Sequence, residues 1–284
     1  MFSVIYPSEV EELPKPSIGG VRVRGGVSVS IEARDGRSRV TDLSERDGYK
    51  VRFPRHADPP EAIIINTGGG LASGDNIQQS FHVGDGASLT VTTQAAERSY
   101  RSVDGATTTL NVTANVGDSA SLTWLPQETI LFDRSRLSRS IDIDLAVSSR
   151  VLLAETVVFG RTAMGEILNT GLFADKWRIR HNNRLAFAEN VRLTDETFKD
   201  MTTAAMNGGA HVATTIVCIG AGAEDRLNNA RCAIGDAPFR CAASAWNGML
   251  VVRGLAHRSE DVRHMVARLV PVLGAGPLPR IWWT

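Results

Sequence analysis

The acids that could do chemistry stand in two kinds of place. Asp142 and Asp144 lie two apart in Ser138-Arg-Ser-Ile-Asp-Ile-Asp144. Side chains two apart in a strand share a face, so the pair has the spacing of a general acid and base. The same spacing describes a solvated strand face with Ile141, Ile143 and Leu145 turned inward, the commoner arrangement. Gln127 and Glu128 are placed differently, within Ser121-Leu-Thr-Trp-Leu-Pro-Gln-Glu-Thr-Ile-Leu-Phe-Asp133. Leu122 and Trp124 share one strand face, Thr123 and Leu125 the other. Pro126 removes a backbone donor, so the strand must stop, bulge or sit at an edge there. Ile130-Leu-Phe132 then resumes an apolar run ending on Asp133. An amide and a carboxylate are thus held at a break between two segments that require burial, and they either meet water or form part of a site.

Other chemistries find less support. Thr67-Gly-Gly-Gly-Leu-Ala-Ser-Gly-Asp75 is the glycine-rich loop, but a phosphate cradle needs Lys after its last Gly, and Asp75 stands there. The glycines serve either a tight turn with close backbone approach or a site. Cys218, Cys232 and Cys241 are odd in number and lack C-x-x-C spacing, which argues against a disulfide framework or zinc site and for a reducing compartment. The six histidines are scattered, His257 and His264 being the closest pair in sequence.

The elements that must position these groups are mostly strands. The 284 residues are 43% hydrophobic and 22% charged, enough for a sizeable core. Basic and acidic residues balance at 31 each, so no net field draws the chain to nucleic acid or anionic lipid. No apolar run approaches the ~20 residues of a membrane helix, and the N-terminus lacks signal-peptide character. A cytoplasmic protein is expected.

Residues 1–20 read as a loose N-terminal arm and 21–284 as a single β-rich domain. Val21 to Ile31 alternates as a strand pair, Asp35-Gly36 marks a hairpin, Tyr49 to Pro54 is a short strand, and Glu61 to Asn66 is a strand expected to be buried on both faces. Val83-Gly-Asp-Gly-Ala-Ser-Leu-Thr aligns with Val116-Gly-Asp-Ser-Ala-Ser-Leu-Thr at an offset of 33. Fainter echoes at Val147 to Glu155 and Arg180 to Glu189 suggest four turn-plus-strand units in a repeat core over about 77–193. The part from 195 to 284 reads as mixed α/β. It has a short helix over 223–233 and a firmer one capped by Ser259, with Val262, Met265, Val266, Leu269 and Val270 as its apolar stripe and Pro271 closing it. The pair Trp282-Trp283 suggests a docked tail or a partner contact. The fold class is therefore mainly β, repetitive and β-helix-like, with about two helices towards the C-terminus.

Leu89-Thr-Val-Thr-Thr-Gln-Ala-Ala96 with Tyr100-Arg-Ser102, Trp124-Leu-Pro-Gln-Glu-Thr-Ile-Leu-Phe-Asp133, Glu155 with Phe159-Gly-Arg161, Gly165-Glu166, and Pro279-Arg-Ile-Trp282 resemble the UreD-type (UreH-type) urease accessory proteins. The resemblance runs from about Val51 to the end. It departs at the glycine loop, where Gly68 replaces the family's Pro. It implies a mainly β maturation factor that is not an enzyme. Such a factor would bind urease apoprotein together with UreF-type and UreG-type partners and would have no tightly bound cofactor, with nickel in transit. Carboxylates and amides suit transit because they hold a divalent ion weakly, whereas imidazole and thiolate clusters trap nickel. Asp75, Glu128, Asp133, Glu155 and Glu166 fall in the family-like blocks and are the candidates for such passage. Each could equally be an N–H acceptor that stabilises a turn. Two other readings are a β-helical carbohydrate-active enzyme using Asp142 and Asp144, poorly supplied with aromatics at 6%, and a plain β interaction module.

Overall fold

The computed structural model describes residues 22–55, 57–161, 164–201, 203 and 206–283. The arm expected over residues 1–20 lies outside them. The chain opens with β1 (Gly26–Arg34) and β2 (Arg37–Arg46), joined by the expected two-residue Asp35-Gly36 turn, with both residues at positive φ. β3 (Tyr49–Arg52) and β4 (Glu61–Asn66) form a second antiparallel pair. β4 buries Ala62 and Ile64 while Ile63 and Ile65 stay half-buried, so burial on both faces is not what the structure shows.

From Asn76 the backbone winds. One turn carries β5 (Asn76–Val83), β6 (Ser88–Thr93) and β7 (Glu97–Ser99), and the next carries β8 (Thr108–Val116), β9 (Ser121–Leu125) and β10 (Thr129–Leu131). β11 (Arg136–Leu145) and β12 (Arg150–Phe159) make the third. Strands of successive turns lie parallel, β5 beside β8 beside β11 and β6 beside β9 beside β12. Val83 stands beside Val116 and Ser88 beside Ser121, which is the sequence offset of 33 made physical. The later spacings differ, with Val116 beside Leu145 and Leu145 beside His181.

β13 (Leu172–His181) continues the stack, but β14 (Arg184–Thr194) folds back on it. The echo at Arg180 to Glu189 is therefore a hairpin and not a fourth turn. Asn182 and Asn183, at φ 51° and 58°, make it reverse. The short helix α1 (Asp195–Lys199), which the sequence reading missed, follows, then β15 (Val212–Ile219), α2 (Leu227–Ile234), β16 (Arg240–Trp246), β17 (Met249–Ala256) and α3 (Ser259–Val272).

Two facing sheets result, ordered β14-β13-β11-β8-β5-β1-β2 and β16-β17-β15-β12-β9-β6-β4-β3. On the main path of each sheet the outermost strands are attached antiparallel to their neighbours, while the short branch of β10 and β7 on β12 is parallel. One hydrophobic core fills the space between the sheets and includes Leu122, Trp124, Trp177 and Phe81. A second lies on the outer face of the second sheet, under α2 and α3, and includes Leu125 and the whole expected stripe of α3. Ser259 is the first helical residue, with Arg258 in the cap position, and Pro271 sits inside the last turn. The mainly β, stacked architecture read from the sequence is the one found.

β9 stops at Leu125, as Pro126 requires. Trp282 is buried on that spot, its indole N–H 3.2 Å from the Leu125 carbonyl and 3.2 Å from the Thr92 hydroxyl, while Trp283 is exposed. No helix among the described residues is long and apolar enough to cross a membrane.

Candidate functional site

The most concentrated buried chemistry lies between the sheets. On β11, Leu137, Ile141, Ile143 and Leu145 point inward, and Arg139 occupies the same phase. Asp175 does likewise on β13 among Phe173, Trp177 and Ile179, and Glu155 on β12 among Leu153 and Val157. The two sheets thus bring one guanidinium against two carboxylates, all three almost fully buried. Arg139 grips Asp175 with two bonds, Nε to Oδ1 at 2.9 Å and Nη2 to Oδ2 at 2.6 Å. Its Nη1 donates to Glu155 Oε2, and Thr129 Oγ1 lies 3.4 Å from the same nitrogen. Trp124 Nε1 donates to Glu155 Oε1 at 2.7 Å and Trp177 Nε1 to Asp175 Oδ1 at 3.0 Å.

Burial pushes the Glu155 carboxyl up, with Arg139 and the Trp124 N–H pulling against it, while the two carboxylates hold Arg139 firmly charged. With both acids ionised the trio carries one surplus negative charge, an expensive arrangement in a protein interior. Close by in the chain, Gln127 is also buried, and neither its Nε2 nor its Oε1 has a hydrogen-bond partner among the described residues. Such an amide has unspent donor and acceptor capacity.

The other candidate acids are distributed. Glu128 points away from the trio, to Arg263 of α3, 3.0 Å from Nη2. Asp75 is buried at the end of the glycine loop, where Oδ1 accepts from Val23 N at 2.8 Å and Oδ2 from Ala72 N at 2.7 Å. Asp133 accepts from the backbone N–H groups of Asn169 and Thr170 at 2.8 and 3.1 Å. Glu166 forms a two-point pair with Arg161, both contacts 2.9 Å, which lowers its carboxyl, and it also accepts from the Arg161 backbone N–H at 3.2 Å. Asp133 and Glu166 therefore share one loop cluster, while Asp75, Glu128 and Glu155 stand apart from it and from one another. Asp142 is half-buried and Asp144 exposed, on the outward face of β11, with Asp144 3.4 Å from Arg180.

Beneath the glycine loop is a cluster the sequence did not reveal. Gly70, at φ 159°, has no room for a Cβ, which would come within 2.6 Å of the Tyr100 ring and 2.7 Å of the Arg98 carbonyl. That close approach lets Asn66 Nδ2 reach both the Gly70 carbonyl at 3.1 Å and Glu97 Oε1 at 2.9 Å, while the Tyr49 hydroxyl donates to Glu97 Oε2 at 3.4 Å. Burial raises the Glu97 carboxyl to about 7, against the pull of Asn66 and Tyr49. Arg139, Asp175 and Glu155 did carry a sequence signal, since each is a charge in phase with inward apolar residues. Glu97 sits in a short segment with no such phase.

A wound β scaffold with end-capping hairpins, a helical layer on one sheet and ion pairs sealed between sheets defines a β-solenoid type of protein. Residues 23–283 match the family model described as UreD urease accessory protein. The chain is 42% identical over 269 residues to urease accessory protein UreD 1 of Methylobacterium radiotolerans, covering 94% of this chain and 92% of that protein. It is 42% identical over 279 residues to UreD 2 of Methylorubrum populi, covering 95% and 94%. To UreD of Xanthobacter autotrophicus it is 39% identical over 276 residues, covering 95% of each. The chain belongs to the UreD family of urease accessory proteins.

Proposed function

We propose that this chain is a maturation factor without catalytic turnover, which binds urease apoprotein together with UreF-type and UreG-type partners and assists nickel delivery. The observation that carries the nickel part is the buried cluster between the sheets, where two acids, Glu155 and Asp175, stand against the single guanidinium of Arg139, a surplus of one acid. A passing divalent cation would relieve that surplus, and oxygen ligands would let it leave again. Asp75, Glu128, Asp133, Glu155 and Glu166 remain the proposed passage residues. Glu155 comes first because it alone of the five lies in the trio between the sheets. Asp133 and Glu166 would form a second, loop-borne station.

The test is co-expression of the tagged chain with urease subunits and the two partner types. A stable complex and nickel-dependent urease activity are expected. Glu155→Gln, which keeps the side-chain shape, should leave the complex intact and lower activation several-fold. Normal activation by a folded Glu155→Gln protein would overturn the passage role, and failure to co-purify with urease would overturn the maturation role.

A further inference from the structure

His211 and His257 are 46 residues apart in sequence and meet in space. His211 immediately precedes β15 and His257 immediately follows β17, and the adjoining pair Val212 and Ala256 stand opposite one another in the antiparallel ladder. The two imidazole rings face each other edge to face, with centroids 6.2 Å apart and planes inclined at 68°. His211 is half-buried and His257 exposed.

Their location is as informative as their spacing. Glu155 stands opposite Thr215 and Val157 opposite Ala213 in the β12–β15 ladder, and the His211 carbonyl accepts from Phe159 N at 2.8 Å. Positions 211, 213 and 215 therefore share the face of the sheet that carries Glu155. Four residues of strand separate His211 from Thr215, about 13 Å at ~3.3 Å per residue. An open groove of about 630 Å³ lies along the same edge. It is lined from the second sheet by Ala213, Thr215 and Leu255 and from the first by Glu189 and Val191. The histidines stand one alternation beyond Ala213 and Leu255, at the groove's end.

We infer that His211 and His257 form a two-imidazole site for a borderline divalent cation of the nickel, copper and zinc type. Imidazole selects these ions over magnesium and calcium, which prefer oxygen. Metal–nitrogen bonds of ~2.1 Å on adjacent coordination positions bring two ring centres to about 4.5–5 Å, so the rings must close by about 1–1.5 Å. His257, exposed at a strand end, has the freedom to make that move. No group of three or more His, Cys, Asp or Glu among the described residues is placed to hold a metal together. The site thus leaves coordination positions for water or for a donor from a partner, and a cation held by two imidazoles remains exchangeable. As a loading point for nickel at the edge of the Glu155 face the site rests on the proposed function. As a metal site it does not.

The experiment is calorimetric titration of the purified full-length chain with nickel, copper, zinc and magnesium salts, alongside His211→Ala, His257→Ala and, as a control, His82→Ala at an exposed imidazole of β5. Circular dichroism checks that each variant is folded. One equivalent of nickel should bind the unaltered chain and His82→Ala, with copper tighter and magnesium silent. Either histidine variant should lose that equivalent or weaken it by at least about tenfold, about 1.4 kcal/mol. Unchanged nickel binding in both histidine variants, or no nickel binding by the unaltered chain, would overturn the site. Neither result bears on complex formation with urease, so the site and the maturation role fail separately.

Discussion

Arg263 of α3 and Glu128 of the strand break meet in a forked ion pair, the guanidinium Nη2 lying 3.2 Å from Oε1 and 3.0 Å from Oε2. The contact spans 135 residues and ties the Pro126-Gln-Glu128 break to the helical layer. Arg263 also stands 6.0 Å over the Trp282 ring, so one cation braces both the break and the docked C-terminal segment. Arg263→Ala leaves the buried Glu128 carboxylate without its cation and should cost about 1–3 kcal/mol. Glu128→Gln should cost less, because an amide can stay in place unpaired by charge. Denaturant unfolding of both single variants and the double variant measures the coupling, expected at about 1 kcal/mol.

The Arg139 trio makes a sharper forecast. Arg139→Met strands two buried carboxylates and should destabilise by about 3–5 kcal/mol, whereas Asp175→Asn or Glu155→Gln should cost less than that. The readout is thermal unfolding. A loss below about 1 kcal/mol for Arg139→Met would mean that the trio is not sealed from water.

Glu97 sets a pH dependence. Its carboxyl keeps a proton up to about 7 when folded but has an ordinary value of 4.5 when the chain is unfolded. The unfolded chain therefore releases its proton first as pH rises, and this contribution to stability is full below about 4.5 and falls between there and about 7. Tyr49, Asn66 and Asp75 are the groups that act on it. The fall amounts to at most about 3.5 kcal/mol. Glu97→Gln should flatten it, so that the variant gains on the unaltered protein as pH rises from 4.5 to 7.5 in denaturant titrations. Parallel curves would refute the assignment.

The two terminal tryptophans should part company. Trp282→Ala removes a buried indole with two N–H acceptors and should cost about 3–5 kcal/mol, while Trp283→Ala on the exposed neighbour should change stability by less than about 0.5 kcal/mol. Thermal unfolding of the pair decides whether the tail is docked in solution.

Much of this arrangement could be read from residue order because strand phase and turn chemistry are local. Asp35-Gly36, the stop at Pro126, the matched turns at Val83 and Val116 and the stripe of α3 all came from patterns a few residues long. The spacing of the later turns could not, since it depends on loop lengths that no motif marks, and Asn182-Asn183 looked like a repeat while acting as a hairpin. Ser259 had the chemistry of a cap but lies one residue inside the helix. The charges in phase with apolar neighbours at Arg139, Asp175 and Glu155 were visible singly. Their meeting requires knowing which strands of two sheets face each other. The histidine pair is further out of reach, because residues 211 and 257 are joined only by a ladder pairing.

The antiparallel strands at both ends of the first sheet have a consequence for assembly. A wound β stack with a bare parallel last rung invites another copy to continue the winding, and fibres grow that way. Here β2 presents an outer margin rich in charge, with Arg37, Arg39, Asp42, Glu45 and Arg46, and β14 turns back at the opposite end. Neither end of the first sheet therefore offers the bare parallel rung that would template a further turn from another copy.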